Sequence, residues 1–569
     1  MTNGDIAKLL SDYADLLEVQ GANAFRLRAY RNASRSIKRQ TEPIEDQVAA
    51  EFDLTTLPNV GKDLAKKLVA IVQTGRFESL DELRKELPPV VAEALRIPGL
   101  GPKKVAALVD ELELQSLDDL KTAAESGRIA EVAGFGKKSA EAVLEGLRTL
   151  DEVGRRTLLK TAKEAADAIA DAVRKDAATQ RCEVAGSVRR RKETCGDLDV
   201  VASSTDAAQT MAVVESHPLV GETLAKGDTK LRVRLVDGQE MDVRVVPDAS
   251  FGAAIQYFTG SQAHNVAVRN VAKKQGLTLN EYGLVDDDGS VIAAESEEEV
   301  YAALSLPCPP PELREDWGEL QGEPPPLVEL ADIAGDLHMH TTASDGRDTI
   351  GAMAAAAAGR GYGYIAITDH SKRVSMANGL DAKRLRRHWD DIRRFRDDAN
   401  PTVQVWCGIE CDILEDATMD LPDDVLGEAD VVVAVLHYGL RQPREQIMKR
   451  LLAAASNPHV DIIGHPSGRI LGKRPGADIH WPELIRCCAD HGTLLEINAS
   501  PPRLDLDDAT ARAASEAGVP IVISTDAHAT GQLDQMQWGV YQARRAGLTA
   551  EQVANTRDAD GFRSLLKDG

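Results

Sequence analysis

The sequence predicts a multidomain protein with a helical N-terminal region, a mixed α/β middle and a C-terminal parallel sheet of barrel type. Three observations carry this. Three segments of the first 150 residues share one turn-and-helix pattern. Apolar periodicity then shifts towards two after about residue 175. Beyond residue 333, seven short apolar strands alternate with helices. A chain of 569 residues has room for about two to four domains.

The bulk numbers bound the class. Hydrophobic residues make up 43% and charged residues 28%, as in ordinary globular proteins. A net charge of -24 disfavours a simple basic nucleic-acid binder, although local patches count for more than the sum. The seven Cys form no C-x-x-C pair, which points to reduced thiols and a cytoplasmic protein. "MTNGDIAKLLSDYADLLEVQ" reads as an acidic amphipathic helix rather than a signal peptide, and "ADVVVAVLHYG" is too short to span a bilayer. With no exposed heptad or pairing segment, a monomer is expected.

The repeated segments are "LPNVGKDLAKKL" from Leu57, "IPGLGPKKVAAL" from Ile97 and "VAGFGKKSAEAV" from Val132. Each sets a glycine turn before an apolar helical period, with Gly61, Gly99, Gly101, Gly134 and Gly136 at the turns. Glycine permits close backbone approach, and the following helix offers free N–H groups to an anion. One such segment is often only a turn; three together suggest contact with DNA phosphates. "FRLRAYRNASRSIKR" adds six cations without an acid, either a solvated face or a second phosphate contact.

In the middle region a helix is predicted from about Leu158 to Lys175. "DGQE" then turns a hairpin between strands Leu231–Val236 and Met241–Val246. "GSVRRRKETCGDLDVV" places Asp197 and Asp199 two apart on a strand, so both carboxylates face one way. Asp242 follows on a nearby strand. Three carboxylates make an all-oxygen site suited to Mg²⁺ or Mn²⁺. Ser187 and the arginine cluster could then hold phosphate oxygens. Taken alone, a D-x-D pair is more often structural than catalytic. Residues 306–327, Pro-rich and acidic, read as a linker.

The predicted strands of the last region are Asp336–His340, Tyr364–Thr368, Val403–Glu410, Val431–Leu436, Val460–Gly464, Thr493–Asn498 and Pro520–Ser524. At or just after their C-terminal ends lie His338, His340, Asp345, His370, Glu410, His437, His465, Asp526 and His528. Parallel barrels place their active sites there. Six of the chain's 12 His fall in this set, too many for incidental packing. Imidazole mixed with carboxylate suits Zn²⁺, Mn²⁺ or Fe²⁺. Arg469 and Lys473, in "GHPSGRILGKR", either meet a substrate phosphate or belong to a solvated loop.

The order "GSVRR…GDLDV", "EMDVRVV", "YFTGSQAHNVAVR", preceded by three helix-hairpin-helix segments, closely resembles the family X DNA polymerases, including DNA polymerase beta. The C-terminal part, about residues 334–569, looks like the PHP (polymerase and histidinol phosphatase) family. The first resemblance implies a nucleotidyltransferase palm with thumb, with Asp197, Asp199 and Asp242 as catalytic metal ligands for Mg²⁺ or Mn²⁺. It also implies nucleotide contacts from Arg156, Gly186, Ser187, Arg190, Gly196, Tyr257, Phe258, Gly260, Asn265 and Arg269. Lys67 matches a Schiff-base lysine of 5′-deoxyribose phosphate removal. Gln262, Val266 and Glu240 depart from the animal pattern. The second implies a distorted (β/α)7 barrel holding two to three Mn²⁺, Zn²⁺ or Fe²⁺ on the nine strand-end residues, with 3′–5′ exonuclease activity and, in some members, abasic-site cleavage. The implied division is 1–80 lyase-like helical domain, 81–150 fingers, 151–250 palm, 251–310 thumb, 311–333 linker and 334–569 PHP domain. Expected partners are gapped or primer-template DNA and deoxynucleoside triphosphates, in DNA repair. Two other readings compete: a phosphoesterase acting on a small phosphate ester, and a DNA-binding repair scaffold without catalysis.

Overall fold

The computed structural model describes residues 3–38, 44–50, 52–74, 76–95, 97, 100–132, 134–136, 141, 143–144 and 156–567. These fall into two compact units, 1–155 and 156–569.

The first unit is helical. Helix Asn3–Val19 packs against Ala24–Lys38, Glu78–Glu86 and Pro102–Leu112 around Ile6, Leu10, Leu17, Leu68, Leu80 and Val105, all buried. The three repeated turns close alike. Val60, Leu100 and Phe135 each donate a backbone N–H to the carbonyl three residues earlier, on Leu57, Ile97 and Val132. Helices Lys62–Thr74 and Pro102–Leu112 follow the first two.

In the second unit, ribbon β1 (Thr157–Leu158) with β3 (Thr194–Cys195) leads into a five-stranded palm sheet. Its strands are β2 (Thr179–Val184), β4 (Leu198–Ser204), β5 (Val220–Lys226), β6 (Lys230–Leu235) and β7 (Glu240–Val246), in the order β2-β4-β7-β6-β5. Alternation along β6 and β7 buries Leu231, Val233, Met241 and Val243 beneath helix Leu159–Arg174 and leaves the polar partners on the other face. The hairpin turn and the helix lie where the sequence puts them. Helices Phe251–Thr259, Gln262–Lys274 and Glu297–Ala303, with a small sheet of β8 (Thr278–Asn280), β9 (Gly283–Val285) and β10 (Val291–Ala293), form a second small core around Val268, Leu284 and Tyr301.

Seven parallel strands follow in sequential order: β11 (Gly335–Asp336), β12 (Tyr364–Ile367), β13 (Gln404–Asp412), β14 (Val431–Val435), β15 (Ile462–Ile463), β16 (Leu494–Asn498) and β17 (Ile521–Ser524). Unbroken parallel neighbours, each buried on both faces and separated by helices, make a nearly closed seven-stranded barrel. Six of the seven strands fall within the predicted segments or overlap them closely, while β11 shares only Asp336 with the predicted Asp336–His340.

The Pro-rich stretch corrects the expectation of a loose linker. Arg314 is 1% exposed and donates to the Pro309 carbonyl and to Glu297. Glu312 is buried against Arg544 at 2.8 Å, and Glu319 meets His264 at 2.6 Å. Buried charges need partners, and these residues find theirs on the thumb and the barrel. Palm and barrel also join directly. Arg545, 1% exposed, donates to the Arg190 carbonyl at 2.7 Å and to Asp508 at 2.5 Å. Arg469, for which the sequence left open a substrate contact or a solvated loop, pairs with Glu193 of the palm at 2.6 Å. Leu504 and Trp538 of the barrel complete the palm core.

Candidate active sites

The palm site is built by register. β4 and β7 run parallel with Asp199 opposite Asp242, and Asp197 stands exposed just before β4. Burial and the neighbouring carboxylates of Asp197 and Asp242 push the Asp199 carboxyl up to about 7. Such crowding fits a cation, whose charge would relieve it. Ser187 Oγ is buried beside this cluster without a hydrogen-bond partner, as a ligand-facing group would be. Arg232, directly opposite on β6, donates to both oxygens of Asp242 at 2.9 Å each. Against the burial that would raise it, this pairing holds Asp242 below the usual carboxylate range. The sequence reading passed over Arg232, although period-two register across the hairpin places it there.

Gly186 has φ +59°, and a Cβ there would lie 2.2 Å from Asp199 Oδ2. Glycine is therefore the residue that lets the turn close over the carboxylate.

The cations of "RRRK" are held by the protein. Arg189 pairs with Glu297 at 2.6 Å and with Thr259 Oγ1 at 2.6 Å. Arg190 donates to the Thr259 carbonyl and to Glu315 at 3.2 Å. The guanidinium of Arg191 lies 4.4 Å over the Tyr541 ring, and Lys192 is 3.5 Å from Glu315. Arg156 donates to the Thr194 carbonyl at 2.6 Å, and a Cβ on Gly196 would sit 3.4 Å from it. Tyr257 and Phe258 pack edge to face, followed by Gly260 at φ +69°. Asn265 is buried and bonded to the Tyr257 carbonyl at 2.6 Å and to Gln256 at 2.9 Å. Arg269 lies 5.9 Å over Tyr257.

In the helical unit, a Cβ added at Gly61, Gly101, Gly134 or Gly136 would meet nothing within 4 Å, so their backbone is open to a ligand; Gly99 lies outside the described residues. Among the cations of "FRLRAYRNASRSIKR", Arg31 pairs with Asp15 and Glu18, and Arg26 meets the Tyr13 hydroxyl. Lys67 donates to Tyr30 Oη at 2.6 Å and Asp63 at 2.8 Å. Burial works the other way, but those bonds keep its ammonium above the usual range. A Schiff-base nucleophile needs the free amine.

The barrel site gathers all nine predicted residues. His340, Asp345, His370 and His528 form one group; His338, His340 and Asp526 a second; His338, Glu410 and His465 a third; His370, Glu410 and His437 a fourth, with ligand atoms in each within 4.8 Å. Glu410, 1% exposed, lies between His338 at 3.3 Å, His437 at 3.5 Å and His465 at 3.0 Å. Although burial favours its neutral form, His370, His437 and His338 hold its carboxyl well below the ordinary range. His338 Nε2, His340 Nδ1 and His465 Nδ1 are buried without hydrogen bonds. Orphaned imidazole nitrogens around shared carboxylates are the donor set of a multinuclear transition-metal centre, so the residues fit the group.

Supporting residues escaped the sequence reading. Glu496 meets His338 Nδ1 at 2.8 Å and accepts the His465 N–H at 2.6 Å. Asp412 meets His437 Nδ1 at 3.0 Å, and Asn498 donates to Asp526 at 3.1 Å. Such partners orient ligands. Asp412 stands two residues from Glu410 on β13, a spacing that signalled it, whereas Glu496 and Asn498 lie on β16, which holds none of the nine.

Fold and sites together define a chain with a carboxylate centre on a palm sheet and a histidine-rich centre in a β/α barrel. Models of known families match in the same order: helix-hairpin-helix domain (1–77), SAM-like helix-hairpin-helix tandem (52–113 and 91–149), DNA polymerase beta palm (159–236), DNA polymerase beta thumb (254–315) and PHP domain (336–500). The DNA polymerase/3′-5′ exonuclease PolX of Bacillus subtilis (strain 168) is 37% identical over 573 residues, covering 100% of both chains. DNA polymerase lambda of Rattus norvegicus is 27% identical over 350 residues, 55% of this chain and 56% of its own. A probable phosphatase of Thermoanaerobacter sp. (strain X514) is 28% identical over 244 residues, 41% of this chain and 94% of its own. The chain belongs to the family X DNA polymerases that carry a C-terminal PHP domain. Among the described residues, no helix is long and apolar enough to cross a membrane.

Proposed function

We infer that this protein fills short gaps in DNA during repair and trims 3′ ends at a separate centre. The observation that carries the reading is the in-register pair Asp199 and Asp242 beside the orphaned Ser187 hydroxyl, on one chain with the nine-residue barrel cluster.

Asp197, Asp199 and Asp242 would hold Mg²⁺ or Mn²⁺ and the barrel set two to three Mn²⁺, Zn²⁺ or Fe²⁺, ions that polarise phosphate oxygens and activate the attacking oxygen. The primer 3′-hydroxyl gives up its proton near Asp242, whose carboxylate Arg232 must first release, its oxygen bonds to the α-phosphorus, and pyrophosphate leaves in line. Ser187, with the backbone of Gly186 and Gly196, receives triphosphate oxygens. Arg190 joins them by leaving Glu315, and Arg156 by turning from Thr194. Tyr257, Phe258 and Gly260 line the sugar, while Asn265 and Arg269 face the nascent base pair. Gly61, Gly99, Gly101, Gly134 and Gly136 present backbone N–H groups to DNA phosphates without reading sequence. At the barrel, water attacks a 3′-terminal phosphodiester and the ester oxygen leaves with a proton. The reading has a monomer acting in the cytoplasm. A lyase step at Lys67 is tested by borohydride trapping on a 5′ abasic end, lost in Lys67→Ala.

The test follows a 5′-labelled primer in a one-nucleotide gap with Mn²⁺, with and without deoxynucleotides. Wild type should extend it and Asp242→Ala should not, while shortening persists in the variant. A primer unchanged by either protein overturns the reading.

A further inference from the structure

We propose that Arg503 is the phosphate-gripping residue of the barrel centre, presented to it by a loop that the palm holds in place. This rests on reading that centre as a phosphodiester hydrolase.

Metal ions polarise a phosphate, but a donor fixed by the protein orients it. Among the described residues, Arg503 is the one Lys or Arg whose charged group comes within 4.0 Å of a carboxylate of the nine: its Nε lies 3.7 Å from Asp526 Oδ2. That separation is beyond a hydrogen bond. Its guanidinium donates to no other described residue, so all its N–H groups remain available. The side chain is 19% exposed, which makes it neither a solvated surface group nor a buried tie. Its cationic neighbours differ. Arg469 is spent on Glu193 and on two carbonyls, Arg474 on the Gly468 carbonyl at 2.7 Å, and Arg545 on Asp508. A planar fork with free donors beside this histidine–carboxylate cluster matches two oxygens of a phosphodiester.

The loop is built to hold this position. It follows β16, at the strand-end side where the metal-ligand set converges. Arg503 N–H donates to Ser500 at 2.8 Å, and Leu471 N–H to the Pro502 carbonyl at 2.7 Å. Arg469 donates Nε to the Arg503 carbonyl at 3.0 Å and also reaches the Leu504 carbonyl, while its other end pairs with Glu193. Leu504 itself is 1% exposed and sits in the palm core. The backbone on either side of the Arg503 side chain is thus fastened to the palm.

The test uses the full-length Mn²⁺-loaded protein as wild type, Arg503→Ala and Arg503→Lys. Three quantities are measured: metal per chain by mass spectrometry, inorganic phosphate binding by equilibrium dialysis, and kcat and KM for bis(p-nitrophenyl) phosphate. Arg503→Ala should keep its metal, bind phosphate roughly 10- to 100-fold more weakly and lose kcat/KM in proportion, as the loss of charged hydrogen bonds implies. Arg503→Lys should recover part of the affinity, because it keeps the charge and loses the fork. Unchanged phosphate affinity in a fully metallated Arg503→Ala overturns the proposal, as does loss of metal, which would make Arg503 a support of Asp526. A wild type that binds phosphate in an Arg503-dependent way but cleaves no diester sinks the hydrolase reading and leaves Arg503 as a phosphate-binding residue.

Discussion

At the scale of single residues, the palm site depends on how closely two backbones approach. Adding one methyl at Gly186 would bring carbon to 2.2 Å from Asp199 Oδ2, at a φ of +59°. The left-handed backbone alone costs a non-glycine residue roughly 1–2 kcal/mol, and the carboxylate must also move. Displacement of a catalytic group by about 1 Å can cost a factor of about 100 in rate. Gly186→Ala should therefore slow single-turnover gap filling by about that factor and leave 3′ trimming by the barrel unchanged. Equal extension rates would show that the turn has slack. Period-two spacing made Asp197 and Asp199 legible as a pair, while Asp242, on another strand, was joined to them by the order of motifs in the resemblance. Arg232 was less legible, since its effect on Asp242 comes from a neighbouring strand whose register has first to be known.

At the scale of elements, helix Glu297–Ala303 is fastened through its first residue. Glu297 accepts from Arg189 at 2.6 Å and from Arg314, so one carboxylate joins the palm, the thumb and the Pro-rich stretch. Burial opposes ionisation, yet the two guanidinium groups hold its carboxyl down at about 2. A folded value below the ordinary 4.5 stabilises the fold fully above pH 4.5, and that contribution is lost as pH falls towards 2. The difference is worth on the order of 3 kcal/mol. Urea midpoints of wild type should drop across that window, and those of Glu297→Gln should change less. Glu297→Ala, which takes the carboxylate from buried Arg314 and half-buried Arg189, should destabilise by roughly 3 kcal/mol near neutral pH. Strands and helices were readable from period and composition. The Pro-rich stretch was not, because Glu312 finds Arg544 across 232 residues of chain and local composition carries no trace of such a partner.

At the scale of the second unit, palm and barrel meet through the half-buried ion pair Glu193–Arg469 and the bond from Arg545 to the Arg190 carbonyl. The nine clustered barrel residues were legible because each lies at the end of a short apolar strand or in the loop after it; the joint was invisible because its halves, Glu193 and Arg469, are 276 residues apart. The joint has a functional consequence. Arg469 clamps the carbonyls of Arg503 and Leu504 beside the histidine–carboxylate cluster, and Glu193 of the palm fixes Arg469. Glu193→Gln keeps the shape of this contact and removes its charge. If the palm sets the loop, the variant should trim a single-stranded 5′-labelled oligonucleotide about tenfold more slowly, as a small misplacement of a phosphate-holding group implies, with metal content unchanged. Gap filling, measured on the same preparation, should fall far less, because Glu193 touches none of the three palm carboxylates. Equal trimming by variant and wild type would mean that the barrel holds its own loop and that the two centres share a chain without sharing a mechanism.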